Sequence, residues 1–277
     1  MGGGTVTAQP QEATSPLADP VSLPLRAAET ARDLGPTLIV APHQDDESLG
    51  CGGLIALLRS YDVPVTVLFV SDGTGSHPQS RDFPPDRLRD TREAEAREAL
   101  QILGVAPDAT IFLRFRDTAV PMVGTADFAP STERVGQVLA DVRPETIVLP
   151  WRRDPHCDHQ AAWQLIRAAL TAQRRQPRLL EYPIWVWELA GAGDLPRGGE
   201  VDGWRLDITT VLAQKQAAIA AHRSQLGELI ADDPSGFCLL PHVLEHFTHP
   251  WEIYLESPAP AHTNRDGSLW SKREGAT

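Results

Sequence analysis

The sequence predicts an α/β fold, a Rossmann-like three-layer sandwich with a mostly parallel sheet and helices on both faces. Two observations support this prediction. Short apolar, β-branched runs recur along the chain, as in strands that are buried on both faces. Segments with the apolar period of a helix separate these runs, and such alternation favours parallel pairing of the strands.

The first unit of this pattern has the order strand, helix, strand. TLIVAP at 37–42 predicts a buried strand, LIALLRS at 54–60 predicts a helix, and VTVLFV at 65–70 predicts a second strand. Three glycines link the first strand to the helix, namely Gly50, Gly52 and Gly53. This segment therefore predicts a βαβ unit.

The alternation continues through the rest of the chain. Further helices are predicted at 86–103, 132–142, 160–173 and 210–222. Further strands are predicted at 110–115 and 146–151, and an extended segment at 179–187. Trp185 and Trp187 alternate in that last segment, which predicts that both side chains point to one face of a strand.

Length favours one principal domain. A chain of 277 residues can bury a full core, and we expect a single domain at 37–256, a loosely ordered N-terminal arm at 1–36 and a mobile C-terminal tail at 257–277. The arm lacks the charged start and apolar core of a signal peptide. Three cysteines form an odd, sparse set, which argues against a disulfide framework. A cytoplasmic location is expected.

Charge and hydropathy narrow the possible partners. The formal net charge of −12 would repel a phosphate backbone, so nucleic acid is not an expected partner. No apolar run approaches the roughly eighteen residues that a membrane span needs. A small molecule is the expected partner, and the sequence leaves a homo-oligomer open.

Two polar clusters follow predicted strands. His43, Asp45, Asp46 and Glu47 come directly after the strand at 37–42, and the sequence His156-Cys157-Asp158-His159 comes after the strand at 146–151. Open α/β sheets bind ligands at the carboxyl edge of their strands. Imidazole and carboxylate groups are the ligands of catalytic zinc, so the two clusters predict a metal site if the two strands are neighbours in the sheet. Each cluster alone would more often be a helix cap or an exposed helix face.

These residues resemble a known family. The pattern AxHxDDExLGxGG from Ala41 to Gly53, paired with His-x-Asp-His ending at His159, is similar to the PIG-L or LmbE-like family of zinc-dependent N-acetylglucosaminyl deacetylases. Arg92-x-x-Glu95, Arg116-Asp117 and the segment KQAAIAAHRSQ at 215–225 match further family segments. The resemblance covers roughly residues 37–256. Gln44 and Cys157 stand where proline is common in the family, which predicts a slightly looser loop.

The resemblance implies a role for each candidate residue. The zinc ligands would be His43, Asp46 and His159, with iron(II) as an alternative to the one zinc ion per chain. Asp45 would be the general base. His156 would be an electrophile that, if protonated, stabilises the oxyanion. The residues expected to contact substrate are Arg92, Asp117 and His222. Asp158 could hold a ligating histidine or, as its preferred role, cap the following helix.

The implied function is removal of an N-acetyl, or another N-acyl, group from an amino-sugar conjugate of the N-acetylglucosamine (GlcNAc) type. An alternative keeps the same site for an amidase on a larger conjugate, such as a glycosylated thiol or a lipid- or antibiotic-linked glucosamine. A remote alternative is a Rossmann-like nucleotide binder, but the glycines at 50–53 lack the GxGxxG spacing. Tryptophans at 185 and 187 are candidates to stack on a sugar or on an apolar substituent.

Overall fold

Eight strands form one mixed sheet in the computed structural model, which describes residues 15–191 and 193–258. In chain order the strands are β1 (Leu25–Arg26), β2 (Thr37–Ala41), β3 (Val65–Ser71), β4 (Thr110–Phe115), β5 (Thr146–Pro150), β6 (Arg178–Tyr182), β7 (Asp202–Asp207) and β8 (Trp251–Glu256). Their spatial order is β1-β7-β8-β6-β5-β2-β3-β4. The five strands β4, β3, β2, β5 and β6 are parallel to one another, whereas β8 pairs antiparallel with both β6 and β7.

Helices cover both faces of the sheet. They are α1 (Asp46–Ser60), α2 (Pro85–Ile102), α3 (Phe128–Val142), α4 (Cys157–Gln173), α5 (Leu212–Ala220) and the short α6 (Pro241–Glu245). Alternate residues of β2 enter different cores, because successive strand side chains point to opposite faces. Ile39 packs with α1, α2 and α5, whereas Leu38 packs with α3 and α4. The predicted α/β class and its layered arrangement are confirmed.

α1 begins earlier than the sequence predicts and contains the glycines that were expected to precede it. The helix passes so close to the sheet that a Cβ at Gly50 would lie 2.3 Å from the ring of Tyr182. A Cβ at Gly53 would lie 2.6 Å from Ile208. The glycines therefore permit close packing of a helix, and the prediction of a glycine-rich link was wrong.

Several other boundaries also shift. α3 and α4 begin at Phe128 and Cys157, a few residues before the predicted starts, and α5 is shorter than the predicted helix at 210–222. The extended prediction for 179–187 holds only as far as Tyr182, because Trp185–Trp187 form a 3-10 turn. Both backbone amides at Ile184 and Trp185 donate to Asp154 Oδ2, which turns the chain there. The two tryptophans therefore do not share one strand face.

The packed part of the chain begins before Thr37. Within the segment expected to be an arm, β1 pairs with β7, and Ala31 and Leu34 of the following 3-10 helix are buried in the core. Positions 1–14 of the predicted arm and 259–277 of the predicted tail lie outside the described residues. Among the helices that the structure describes, none combines the length and apolar character needed to cross a bilayer.

Candidate active site

The candidate site lies where the strand connections diverge. β2 sits between β5 and β3. From β2 the chain continues to β3 and β4 on one side, and after β4 it crosses to β5 and β6 on the other side of β2. Such a switch point leaves a crevice at the carboxyl ends of the strands. Segment 43–46 follows β2, segment 72–76 follows β3, Asp117 follows β4 and segment 154–159 follows β5. The fold therefore brings both predicted clusters to one edge of the sheet.

Three histidine rings meet at this edge. The ring centroids of His43 and His156 are 4.6 Å apart, those of His156 and His159 are 5.1 Å apart, and those of His43 and His159 are 5.4 Å apart. One nitrogen from each ring can be chosen so that all three lie within 4.8 Å of one another. The sequence prediction that these residues converge is confirmed by the geometry.

Asp46 places a carboxylate oxygen between two of the rings. Its Oδ2 is 3.3 Å from His43 Nδ1 and 3.3 Å from His159 Nε2, and it accepts a hydrogen bond from the His43 backbone amide at 2.9 Å. Burial alone would raise the pKa of Asp46, but the neighbouring rings of His159 and His43 lower it well below its usual value. The group is therefore held as a carboxylate.

Asp154 supports His159 from behind. Its Oδ1 lies 3.2 Å from His159 Nδ1, and its Oδ2 accepts the amides of Ile184 and Trp185 at 3.1 and 2.9 Å. Burial lowers the pKa of His159, but Asp46 and Asp154 outweigh it and raise that pKa to about 9. Sequence reasoning missed Asp154, although its position between a buried strand and the first histidine of the second cluster could have drawn attention to it.

Asp158 supports His43 and does not cap α4. Its Oδ2 is 3.2 Å from His43 Nε2 and accepts the Thr118 amide at 2.7 Å, while its Oδ1 accepts the Val120 amide at 3.2 Å. The helix is capped instead by His156, whose Nδ1 accepts the backbone amide of Asp158 at 3.2 Å. The preferred cap role for Asp158 was therefore wrong, because its side chain faces the loop after β4.

His156 is held as a neutral ring. Its Nδ1 accepts the Asp158 amide, which leaves Nε2 to carry the proton. Burial, followed by the charges of His43 and His159, lowers the pKa of His156 to about 4. His156, which lines the cleft, is therefore a neutral imidazole that can donate one hydrogen bond through Nε2.

Asp45 is a buried carboxylate on the cleft wall. Burial raises its pKa to about 6, although Arg92 works in the opposite direction with Nη2 3.5 Å from Asp45 Oδ2. The backbone amide of Asp45 donates to Glu47 Oε2 at 3.0 Å, which fixes the turn before α1. A carboxyl group with a pKa near neutrality is suited to accept a proton.

Arg92 holds the loops around Asp45. Its guanidinium donates to the carbonyls of Gly73 and Gln44 at 3.0 and 3.1 Å, and only 2% of the residue is exposed. Gln44 in turn donates to the Ser71 carbonyl at 2.9 Å. Gly73 has φ +67°, and a Cβ there would lie 2.3 Å from Gln44 Oε1. The looser loop expected from Gln44 is therefore wrong, because its amide anchors the turn to β3.

Of the other two predicted substrate contacts, Asp117 lines the cleft and His222 does not. Asp117 lines the cleft, accepts the Gly75 amide at 2.8 Å and lies 3.3 Å from His43 Nε2. Burial would raise the pKa of Asp117, but the hydrogen bond and charge of His43 lower it overall. His222 is buried against Glu47 Oε1 at 2.9 Å and Ser48 Oγ at 3.3 Å, and does not belong to the cleft lining. A direct substrate contact by His222 is therefore not what the geometry favours.

The cleft above the histidines has a volume of about 400 Å³. Its lining includes the polar groups of the site together with Gly75, Ser76, Thr118 and Gln225. It also includes apolar side chains, namely Leu49, Trp185, Leu189 and Phe237. The lining thus combines titratable groups with a large apolar surface, as small-molecule sites do.

The donor set fits a divalent cation. Both ring nitrogens of His159 are buried without a hydrogen bond, since Asp46 Oδ2 and Asp154 Oδ1 lie at ion-pair distance but outside hydrogen-bond geometry. A buried ring nitrogen aimed at a carboxylate and a second imidazole is the arrangement that imidazole and carboxylate metal ligands adopt. His43, Asp117 and Asp158 form a second set whose ligand atoms lie equally close. It shares His43 with the first.

The chain is similar to a known family over the segment that contains both clusters. The family model described as PIG-L, GlcNAc-PI de-N-acetylase, matches residues 38–170. A relative from Actinosynnema mirum, named 1D-myo-inositol 2-acetamido-2-deoxy-alpha-D-glucopyranoside deacetylase, is 31% identical over 68% of this chain and 80% of its own length. A relative of the same name from Nocardia farcinica is 27% identical over 69% of this chain and 80% of its own length.

A solved structure, of an A40926 pseudoaglycone deacetylase, has a TM-score of 0.61 at 21% identity and covers 81% of this chain and 97% of that one. It supports the fold. The relatives' names describe N-deacetylations, so the predicted class, a hydrolase acting on amide bonds, is confirmed with the predicted family. The chain belongs to the PIG-L family.

Proposed function

We propose that this chain removes the N-acetyl, or another N-acyl, group from a GlcNAc-type conjugate with the help of one bound divalent cation. The observation that carries the proposal is the position of Asp45. This carboxylate, with a pKa of about 6, lines the cleft beside the cluster of His43, Asp46 and His159. A base next to a metal centre is the arrangement that hydrolysis of an unactivated amide needs.

In this proposal His43, Asp46 and His159 hold the cation, which we take to be zinc, with iron(II) as the alternative. A cation of this kind supplies a water of lowered pKa and a Lewis acid for the amide carbonyl. Asp154 and Asp158 orient the rings of His159 and His43 through their opposite nitrogens. Such outer contacts fix ring orientation and increase the basicity of the ligand.

Two side chains handle the proton and the developing charge. Asp45 takes the proton from the attacking water and can return it to the leaving amine. His156, as a neutral ring with its Nε2 facing the cleft, donates a hydrogen bond to the carbonyl oxygen as it becomes negative. Asp45 and His156 come from different clusters of the sequence, and both line the same cleft.

The remaining predicted residues divide between contact and positioning. Asp117, whose carboxylate lines the cleft, can accept a hydrogen bond from a sugar hydroxyl. Arg92 contacts Asp45 and donates to two backbone carbonyls, so it positions the base. His222 supports Glu47, which in turn holds the Asp45 amide.

The test separates the metal from the base. We expect zinc-loaded protein to release acetate from a GlcNAc glycoside, and Asp45→Asn to bind zinc normally while its kcat falls by roughly 10²-fold or more. His43→Ala should lose zinc. Asp90→Asn, at an exposed carboxylate, is the matched control and should behave as the parent. Zinc binding without amide hydrolysis on a broad amide panel would contradict the proposal.

The volume of the cleft keeps an amidase acting on a larger conjugate as the second candidate. It retains the same metal site and base and differs only in the groups attached to the amide. The nucleotide-binding alternative is disfavoured by three cleft carboxylates, Asp45, Asp46 and Asp117, which would repel a pyrophosphate. The cytoplasmic location and a homo-oligomeric state stay predictions.

A further inference from the structure

Three apolar residues of the cleft lining form a candidate binding surface. Trp185 and Phe237 meet edge to face with ring centroids 5.7 Å apart, and Leu189, which lines the same cleft, is 62% exposed. We call these three residues the apolar wall. Because Leu189 is exposed to solvent, the apolar wall is accessible to the part of a bound conjugate that lies outside the metal site.

The apolar wall is anchored to the metal-site residues. Trp185 donates its backbone amide to Asp154 Oδ2, and Asp154 Oδ1 faces His159. Phe237 is fixed from the other side, because its backbone amide donates to the Ser76 carbonyl at 2.7 Å. Hydrogen bonds therefore fix the backbone of both aromatic residues, so that this part of the apolar wall is preorganised.

No described lining side chain of the cleft is a free cation for an anionic aglycone. Among the described lining residues the one guanidinium belongs to Arg92, which contacts Asp45 and donates to two backbone carbonyls. Asp45 and Asp117 contribute negative charge, and the proposed metal ion is held by Asp46 at the place where the amide reacts. A carboxylate or phosphate on the aglycone would therefore find no side-chain cation to pair with.

One buried polar group of the cleft lining has no hydrogen-bond partner. Gln225 is fully buried, its Nε2 donates to Ser224 Oγ at 2.8 Å, and its Oε1 has no hydrogen-bond partner although the residue lines the cleft. A sugar hydroxyl is a suitable donor to this oxygen. The polar lining residues thus suit the sugar, and the apolar wall suits what is attached to it.

We propose that the substrate of this chain is a glucosamine conjugate whose aglycone is neutral and carries an aromatic or extended apolar group that packs on Trp185, Leu189 and Phe237. This inference rests on the proposed function, since it names the substrate class of the same site. A cleft of about 400 Å³ lies within the roughly 300–1,000 Å³ of pockets that enclose drug-sized ligands. Space therefore exists for the aglycone beside the sugar.

Three GlcNAc glycosides test the proposal on zinc-loaded protein, carrying a 4-nitrophenyl, a methyl or a carboxymethyl aglycone. We expect kcat/KM for acetate release to be roughly tenfold or more higher for the nitrophenyl than for the methyl glycoside. The carboxymethyl glycoside should be the poorest of the three. Equal rates, or a preference for the carboxymethyl glycoside, would overturn the inference.

Substitution of the wall assigns the preference to its residues. Leu189→Ser, at an exposed position with little risk to folding, should lower kcat/KM for the nitrophenyl glycoside several-fold more than kcat/KM for the methyl glycoside. Leu25→Ser is the matched control, because Leu25 is 53% exposed on the edge strand β1, outside the cleft lining. Trp185→Ala should act in the same direction more strongly. A gain that survives in both wall variants overturns the assignment.

A binding measurement separates this inference from the proposed function. Calorimetry with zinc-loaded Asp45→Asn should show tighter binding of the nitrophenyl than of the methyl glycoside. Absence of hydrolysis of these three glycosides and of a broad amide panel would overturn the proposed function, and the calorimetric ratio would still decide the nature of the wall. If lengthening the N-acyl chain on the methyl glycoside gives the gain and the nitrophenyl group gives none, the wall binds the acyl chain and the inference is wrong.

Discussion

His156 differs from its two histidine neighbours because its Nδ1 accepts a backbone hydrogen bond. His43 and His159 face carboxylates through both ring nitrogens, whereas His156 caps α4 and presents one nitrogen to the cleft. The proximity of all three rings would also allow a three-histidine metal site. The proposed division of roles gives His156 the oxyanion and leaves the cation to the other two.

Replacement of His156 distinguishes these arrangements. We expect His156→Ala to keep its zinc and to lose roughly 10²–10³-fold in kcat, the size of effect seen when one oxyanion donor is removed. Metal content by elemental analysis, together with acetate release, checks both parts. Loss of the metal from this variant would show that His156 is a ligand.

We expect Asp154 to affect the affinity for the metal ion. Its carboxylate holds the ring nitrogen of His159 that faces away from Asp46. Asp154→Asn should therefore weaken zinc binding by roughly 10–100-fold, the usual cost of losing such a partner. Competition with a chelating dye measures the affinity. An affinity equal to that of the parent would mean that this carboxylate serves only to hold the backbone, as at the amides of Ile184 and Trp185.

At the scale of elements, α1 determines how closely the site approaches the sheet. The helix carries Asp46 on its first turn and uses glycine where it crosses Tyr182 and Ile208. Tyr182 cannot move aside easily, because it is fully buried and its hydroxyl donates to the Val40 carbonyl at 2.8 Å. The close approach is thus fixed from both sides.

Glycine substitutions in two helices test this packing. Gly50→Ala should destabilise the protein by about 1–3 kcal/mol, because the new methyl group overlaps a ring that is itself held in place. Gly136→Ala in α3 is the matched control, since its Cβ would meet only Gln173 Nε2 at 3.4 Å. There the better helix propensity of alanine should leave stability unchanged or raise it by up to about 1 kcal/mol. Urea denaturation of the three proteins gives the comparison.

The sequence predicts the elements whose burial is uniform. β2, β3 and β5 are apolar along nearly their whole length because helices cover both faces, and this pattern is legible without a structure. β7 and β8 were missed, since DGWRLD and WEIYLE mix charged and apolar residues at the antiparallel end of the sheet. The turn at Trp185 was also missed, because it depends on hydrogen bonds to Asp154, thirty-one positions earlier.

The candidate site shows the same division. His43, Asp46 and His159 were predictable, because each cluster directly follows a strand and parallel strands end at one edge of the sheet. The roles of Arg92 and His222 could not be predicted, because both depend on which backbone and carboxylate groups the fold places beside them. Local spacing identifies candidate ligands, whereas a supporting contact needs the tertiary structure.

At the scale of the whole molecule, one buried carboxylate joins the helical layer to the antiparallel strands. Glu252 on β8 accepts Lys215 Nζ of α5 at 2.8 Å and the Gly53 and Leu54 amides of α1 at 2.7 and 2.8 Å. The hydroxyl of Tyr254 donates to the same group at 2.8 Å. Such a site is costly to break, because removal of one partner leaves a charge in a dry environment.

Removal of the ammonium group should therefore reduce global stability. We expect Lys215→Met to lower the free energy of unfolding by about 3–5 kcal/mol, and the double variant Lys215→Met, Glu252→Gln to lose less, because the second change removes the unpaired charge. Arg223→Met breaks the exposed pair with Glu98 and should cost at most about 1 kcal/mol. Chemical denaturation measures all three. A double variant with a lower free energy of unfolding than Lys215→Met would contradict this account.

The two-sided carboxylate of Asp154 also makes metal binding and substrate binding energetically interdependent. One oxygen faces a ring of the metal site, and the other holds the backbone at Ile184 and Trp185 from which the apolar wall begins. Any ligand that shifts this backbone changes the support of His159, and thermodynamic linkage requires the reverse effect to be equal in size. The affinity measured for either ligand alone would then differ from its affinity when the other is bound.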